Sequence, residues 1–153
     1  MKKMLFIATV LVAVACSQQK KASAPSSEKA SYGDDRIGAI EMINDQTFKL
    51  TEQAGDKIYG YTKENPVKVG GVREGPTNER RFLNALLGPQ NETVQYERSG
   101  SCCPFKTPNG LFENTGMLDA YRVWWEGGKD TVIIYINMYD KGNLRIPVGF
   151  NAK

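Results

Sequence analysis

The stretch TVIIYINMY, residues 131–139, limits the fold more than any other part of the 153-residue chain. It is apolar on both alternating faces: Val132, Ile134, Ile136 and Met138 on one, Ile133, Tyr135 and Tyr139 on the other. A run of this kind belongs in the middle of a sheet with cover on each side. Residues 117–126 read as the strand before it, joined by a turn at Gly127-Gly128-Lys129. Asp140-Lys141-Gly142-Asn143 then turns the chain into residues 144–150, where Pro147 cannot donate to a ladder and marks an edge strand.

The upstream half is less regular. Residues 47–50 read as a short strand, and KIYGYTKENPVKVGG as a hairpin pairing 57–62 with 66–69 across a turn at 63–65. Pro66 fits only a strand start or edge there. The order Gly70-Gly71-Val72-Arg73-Glu74-Gly75 matches neither a dinucleotide fingerprint nor a P-loop, so it reads as turns. One helix follows, capped by Thr77, favoured by Glu79 in its first turn and stopped by Gly88-Pro89. Phe82 with Leu86 and Leu83 with Leu87 place i,i+4 apolar pairs on one face. The expected class is α+β: an antiparallel β-sheet with one main helix and β-hairpins at both ends of the domain.

The first residues set the location. Lys2 and Lys3 precede an apolar run of 12 residues, 4–15. As a helix that run is about 18 Å long. It is too short for a bilayer core of about 30 Å and has the layout of a secretory signal. Ala13-Val14-Ala15-Cys16 resembles the lipobox of bacterial lipoproteins, with Ala13 where leucine is usual. Residues 1–15 are therefore expected to be a lipoprotein signal peptide, and Cys16 the site of lipid attachment that holds the chain on a bilayer. Residues 16–31 add no large apolar side chain and read as a flexible tether with a reach of roughly 20 Å. Residues 32–153 form a single domain of 122 residues, long enough for a real core.

Composition removes several function classes. The whole chain carries +3, but residues 32–153 hold 15 basic and 16 acidic groups, a balance of −1 with no basic stripe. Nucleic-acid binding therefore has no electrostatic support. The chain has no histidine. That excludes Ser-His-Asp and Cys-His nucleophile sites, His-ligated zinc and imidazole proton transfer. No cofactor is called for.

Cys102 and Cys103 are adjacent and followed by Pro104. Two neighbouring thiolates without histidine are too few ligands for zinc, so no metal site is expected. A catalytic thiolate would lack a His base, with only Lys106 near it in sequence. Two readings stay open: a vicinal disulfide with a structural or redox-sensing role, and a pair of packed, reduced thiols. Both lean to bracing over chemistry. Trp124, Asn137 and Asp140 are the remaining candidates for a ligand or partner surface. Trp124-Trp125 must place one ring on each sheet face, and Asp140 is also explained by its turn.

The segments YGYTKENPVKVGG, GPTNERRFLNALLGP, GSCCPFKTPNG, LDAYRVWWEG and YINMYDKGNLRIPVGF together resemble a family of small lipoproteins from Bacteroidetes. The resemblance covers most of residues 59–150 and implies an outer-membrane location, but no activity. Some members carry the label 2-dehydro-3-deoxyphosphooctonate aldolase. That enzyme resembles a (β/α)₈ barrel of about 250 residues, which one helix in 122 residues cannot build. The expected function is a non-enzymatic binding or assembly accessory with an envelope protein partner. The alternative is a small periplasmic thiol or redox enzyme using Cys102 and Cys103.

Overall fold

The structure, a computed structural model, describes residues 33–71, 73–129 and 131–153. The signal peptide, Cys16 and the tether lie outside the described residues. The elements are β1 (Met42–Asn44), β2 (Thr47–Phe48), β3 (Val67–Lys68), α1 (Gly75–Ala85), β4 (Leu86–Leu87), β5 (Val94–Lys106), β6 (Thr115–Trp125), β7 (Val132–Asn137) and β8 (Asn151–Ala152). A four-stranded sheet runs in the order β3-β7-β6-β5, and β1-β2 and β4-β8 form small two-stranded ladders. The fold is α+β, with β5-β6, β6-β7 and β1-β2 antiparallel.

Helix α1 packs one face of that sheet. Its Phe82 and Leu83 are fully buried in one core with Tyr121 and Val123 of β6 and Ile134 and Ile136 of β7. The helix begins two residues before the expected cap, because Pro76 occupies its first turn with φ already suited to helix. Gly75 is required there: a Cβ would stand 2.8 Å from Met138, so only glycine lets the helix start this close to the end of β7. The helix stops at Ala85 because Leu86 turns extended and pairs with Ala152 of β8. The Lys153 amide donates to the Ala85 carbonyl and satisfies one of the last helical acceptors.

Several expected elements differ. Residues 57–65 are turns, not a hairpin arm. Asp56 accepts hydrogen bonds from the Ile58 amide and the Asn65 side chain, a local alternative to strand pairing. Only Val67–Lys68 is strand, and it pairs parallel to β7. Residues 144–150 are irregular, touching the sheet system through one parallel bridge between Gln53 and Ile146. Ile146 and Phe150 nevertheless fill the core. The β7 strand is covered fully on one face, where Ile134 and Ile136 are buried, and only partly on the other, where Ile133 is 36% exposed and Asn137 is buried.

The longest strand, β5, is absent from the sequence expectation. It forms the sheet edge, where Pro104 is tolerated because its missing N–H can face away from a partner. Phe82→Ala is expected to lower unfolding free energy by about 4 kcal/mol, read from urea denaturation, because its cavity opens at the helix–sheet contact.

Candidate functional site

The helix-facing side of β5 and β6 carries a chain of polar groups that the apolar periodicity does not announce. Two irregularities in β5 build it. The register passes from Arg98↔Tyr121 to Gly100↔Ala120, so Ser99 is an extra residue in the strand. Without a bulge, residues 98 and 101 would face opposite sides. With it, Arg98 and Ser101 both reach Asp119. The Arg98 guanidinium donates from Nε to Asp119 Oδ2 and from an Nη to Oδ1, each at 2.7 Å. The same Nη donates to Ser101 Oγ, which in turn donates to Asp119 Oδ1 at 2.7 Å. A forked, two-pronged contact of this kind fixes the carboxylate plane.

Deeper in, Tyr121 donates its hydroxyl proton to Glu79 Oε2 at 2.8 Å, joining α1 to β6. Glu79 is fully buried and its Oε1 has no hydrogen-bond partner. Burial pushes the Glu79 carboxyl up to about 7; the Tyr121 bond opposes this and the negative charge of Asp119 reinforces it. A proton on Glu79 satisfies the orphaned oxygen by letting it donate toward Asp119, a contact that itself raises the pKa. Burial, and then the bond to Glu79, also push the Tyr121 phenol up. Burial in the helix–sheet contact therefore favours the protonated form of Glu79 relative to an exposed carboxyl. Arg98 is its exposed end, with 46% of its side chain open to solvent.

The cysteine pair lies just beyond Ser101. Cys102 and Cys103 are joined as a disulfide, with Cα atoms 3.7 Å apart. Successive side chains of a regular strand point to opposite faces, so adjacent cysteines cannot meet there. A second bulge resolves this. The register passes from Cys102↔Leu118 to Pro104↔Met117, leaving Cys103 as the extra residue with φ of 58°. The pair is half-buried on the sheet edge rather than packed as core thiols.

Asn137 and Asp140, expected on a ligand or partner surface, are instead 2% and 0% exposed. Asn137 accepts from the Tyr139 and Asp140 amides and donates its own amide to Asp140 Oδ2. Asp140 also receives the Gly33 amide, the Asn109 amide group and the Thr107 hydroxyl. Burial alone would raise the Asp140 pKa, but these donors outweigh it and hold the carboxyl below its ordinary value. They are a structural knot, because polar groups at the end of a central strand are buried only when their partners come with them.

Trp124 and Trp125 do divide between faces. Trp125 packs edge-on against Phe150 with ring centroids 5.3 Å apart. Trp124 is half-buried on the opposite face, whose open part also carries Arg122, Ile133 and Tyr135. The structure thus separates the sequence candidates: Trp124 on the open face, Cys102 and Cys103 at the edge, Asn137 and Asp140 inside. Glu79 reads in sequence only as a charge favouring the first turn of the helix, and Asp119 and Arg98 give no signal, because charged residues at these spacings look solvated.

Against protein-family models, curated proteins and solved structures, the chain finds no match.

Two substitutions test these clusters. The Glu79 carboxyl is raised in the fold, so its contribution is complete below the unfolded value of 4.5 and is lost as pH rises through about 7. At about 1.4 kcal/mol per unit, the wild type should lose about 3 kcal/mol across that window, and Glu79→Gln should not. Urea denaturation of both proteins from acid to mildly alkaline pH measures this. For Asp140 the sign is opposite: its depressed pKa stabilises above the unfolded value of 3.8, and that contribution is lost in acid. Asp140→Asn sets an amide against several donors and should cost about 3 kcal/mol at neutral pH, a deficit that shrinks as the wild-type carboxylate protonates.

Proposed function

We propose that this protein is a lipoprotein of the bacterial cell envelope, held on the outer membrane by acylated Cys16. Its domain serves as a non-enzymatic binding or assembly accessory for an envelope protein. The observation that carries this reading is the order Lys2-Lys3, apolar residues 4–15, Ala13-Val14-Ala15-Cys16 and then a spacer without large apolar side chains. A diacylated or triacylated cysteine supplies durable anchoring, where a single chain would not.

Two features of the domain support it. The Cys102–Cys103 disulfide suits an oxidising compartment. The paired groups whose acidity burial shifts, Glu79 and Tyr121, are buried at 0% and 4% exposure, where they lock helix to sheet rather than meet a substrate. The open part of the sheet face with Trp124, Arg122, Ile133 and Tyr135 mixes aromatic, aliphatic and cationic contacts, the composition of a protein-binding patch.

A second reading, a small periplasmic thiol or redox enzyme, draws on one observation: the disulfide is half-buried at the sheet edge, within reach of another thiol. Cys103→Ser leaves Cys102 free and would trap a substrate protein as a mixed disulfide if that reading held.

The anchor is tested by mass spectrometry and detergent phase partition of protein purified from membranes. The wild type should begin at Cys16, carry acyl mass and enter the detergent phase, whereas Cys16→Ala should retain residues 1–15 and lose the acyl mass. A wild-type protein that keeps its leader and stays in the aqueous phase sinks the proposal.

A further inference from the structure

The turn between β5 and β6 ends in two adjacent apolar side chains, Leu111 at 60% and Phe112 at 81% exposure. Large apolar groups this open at a hairpin tip indicate a surface they contact. The turn itself is closed. Thr107 donates to the Asn114 carbonyl, Gly110 to Thr107, and Thr115 to Phe112. The Lys106 ammonium donates to the Glu113 carbonyl at 3.0 Å. Each backbone bond closed within the turn leaves one fewer pair of polar groups to be stranded at an apolar boundary.

The base of this turn is where the chain enters the domain. Gly33 lies against Pro108, its position for a Cβ being 3.6 Å from the proline ring. Asn109 donates to Asp34 at 2.9 Å, and the Gly33 amide to Asp140 at 3.1 Å. In the sequence only 16 residues, 17–32, separate Cys16 from Gly33. Ile37, on the same entering segment, is fully exposed.

We propose that the Leu111-Phe112 tip is a membrane-contact surface that seats the domain on the bilayer carrying its anchor. The inference rests on the acylation of Cys16 and adds an orientation to it: β6 stands away from the bilayer, with the Gly127-Gly128-Lys129 turn at its far end. Eleven residues of β6 at about 3.3 Å each separate the two turns by roughly 35 Å. Lys106 and Glu113 cancel in charge beside the tip, so the contact is apolar rather than an attraction to anionic headgroups. Phe112 and Leu111 enter the headgroup–acyl boundary while the Lys106 stem lies along it with its ammonium in the wet layer.

The test uses the full-length, acylated protein in vesicles of phosphatidylethanolamine and phosphatidylglycerol containing nitroxide-labelled lipid. With Cys16 acylated and Cys102 bonded to Cys103, Phe112→Cys introduces a single free thiol for a fluorophore; Lys129→Cys does the same at the opposite turn. The label at 112 should be quenched at least about twofold more than the label at 129, as expected for entry to about 5–10 Å. Adding Leu111→Asp to the Phe112→Cys protein should remove most of that difference. Raising salt to about 1 M, where screening acts within about 3 Å, should leave it unchanged. Equal quenching at 112 and 129 in fully vesicle-bound protein overturns the membrane contact, leaves the acyl anchor standing and assigns the tip to a protein partner. Loss of quenching in high salt overturns the apolar nature of the contact. A mature protein without acyl mass that does not float with vesicles overturns the anchor and this orientation together.

Discussion

One helix lying on one face of a four-stranded sheet sets most of this molecule's physical character. Phe82 and Leu83 close over Tyr121, Val123, Ile134 and Ile136, and that contact removes water from everything between α1 and β6. A polar group caught there must find a partner in the protein, since no solvent remains to supply one. Glu79 finds Tyr121 and Asp119 finds Arg98 and Ser101, while one oxygen of Glu79 is left without a hydrogen-bond partner. The perturbed acidity of Glu79 is a consequence of packing rather than a separate device. On the face of the sheet away from α1, Leu118 and Asn137 are buried, whereas the part that holds Trp124, Arg122, Ile133 and Tyr135 stays open.

The edge strand β5 is shaped by two inserted residues. Ser99 brings Arg98 and Ser101 to the same carboxylate, and Cys103 brings its sulfur to that of Cys102. Both bulges, together with Pro104, interrupt the row of free backbone groups that a long edge would offer to another strand. The covalent ring and the proline therefore lie where unwanted strand pairing would otherwise start.

Asp140 links the two ends of this design. It gathers Thr107 and Asn109 from the β5–β6 turn, Asn137 from the end of β7 and Gly33 from the chain entry. The entering segment is thereby fastened beside the turn that carries Leu111 and Phe112. The chain entry at Gly33 and the apolar tip are thus coupled through one buried carboxylate.

The sequence by itself determined the features that depend on near neighbours. The run 131–139, apolar on both faces, marked β7, residues 117–126 marked β6, Gly127-Gly128-Lys129 marked the turn between them, and Phe82 and Leu83 marked the buried stripe of α1. The adjacent tryptophans had to divide between faces because strand side chains alternate. Tertiary structure decided what lies opposite each residue. β5 is rich in Ser, Gly, Cys and Pro, with most side chains exposed or half-exposed, so no apolar period announces it; its 13 residues become strand through pairing with β6. The parallel pairing of β3 with β7 joins segments far apart in the chain. In sequence Glu79 reads as a charge in the first turn of a helix and Asp140 as a turn or surface residue, and only the elements that close over them replace water with Tyr121, Asn137 and Thr107. Local periodicity is written in neighbouring residues, whereas burial and acidity depend on atoms brought from elsewhere in the chain.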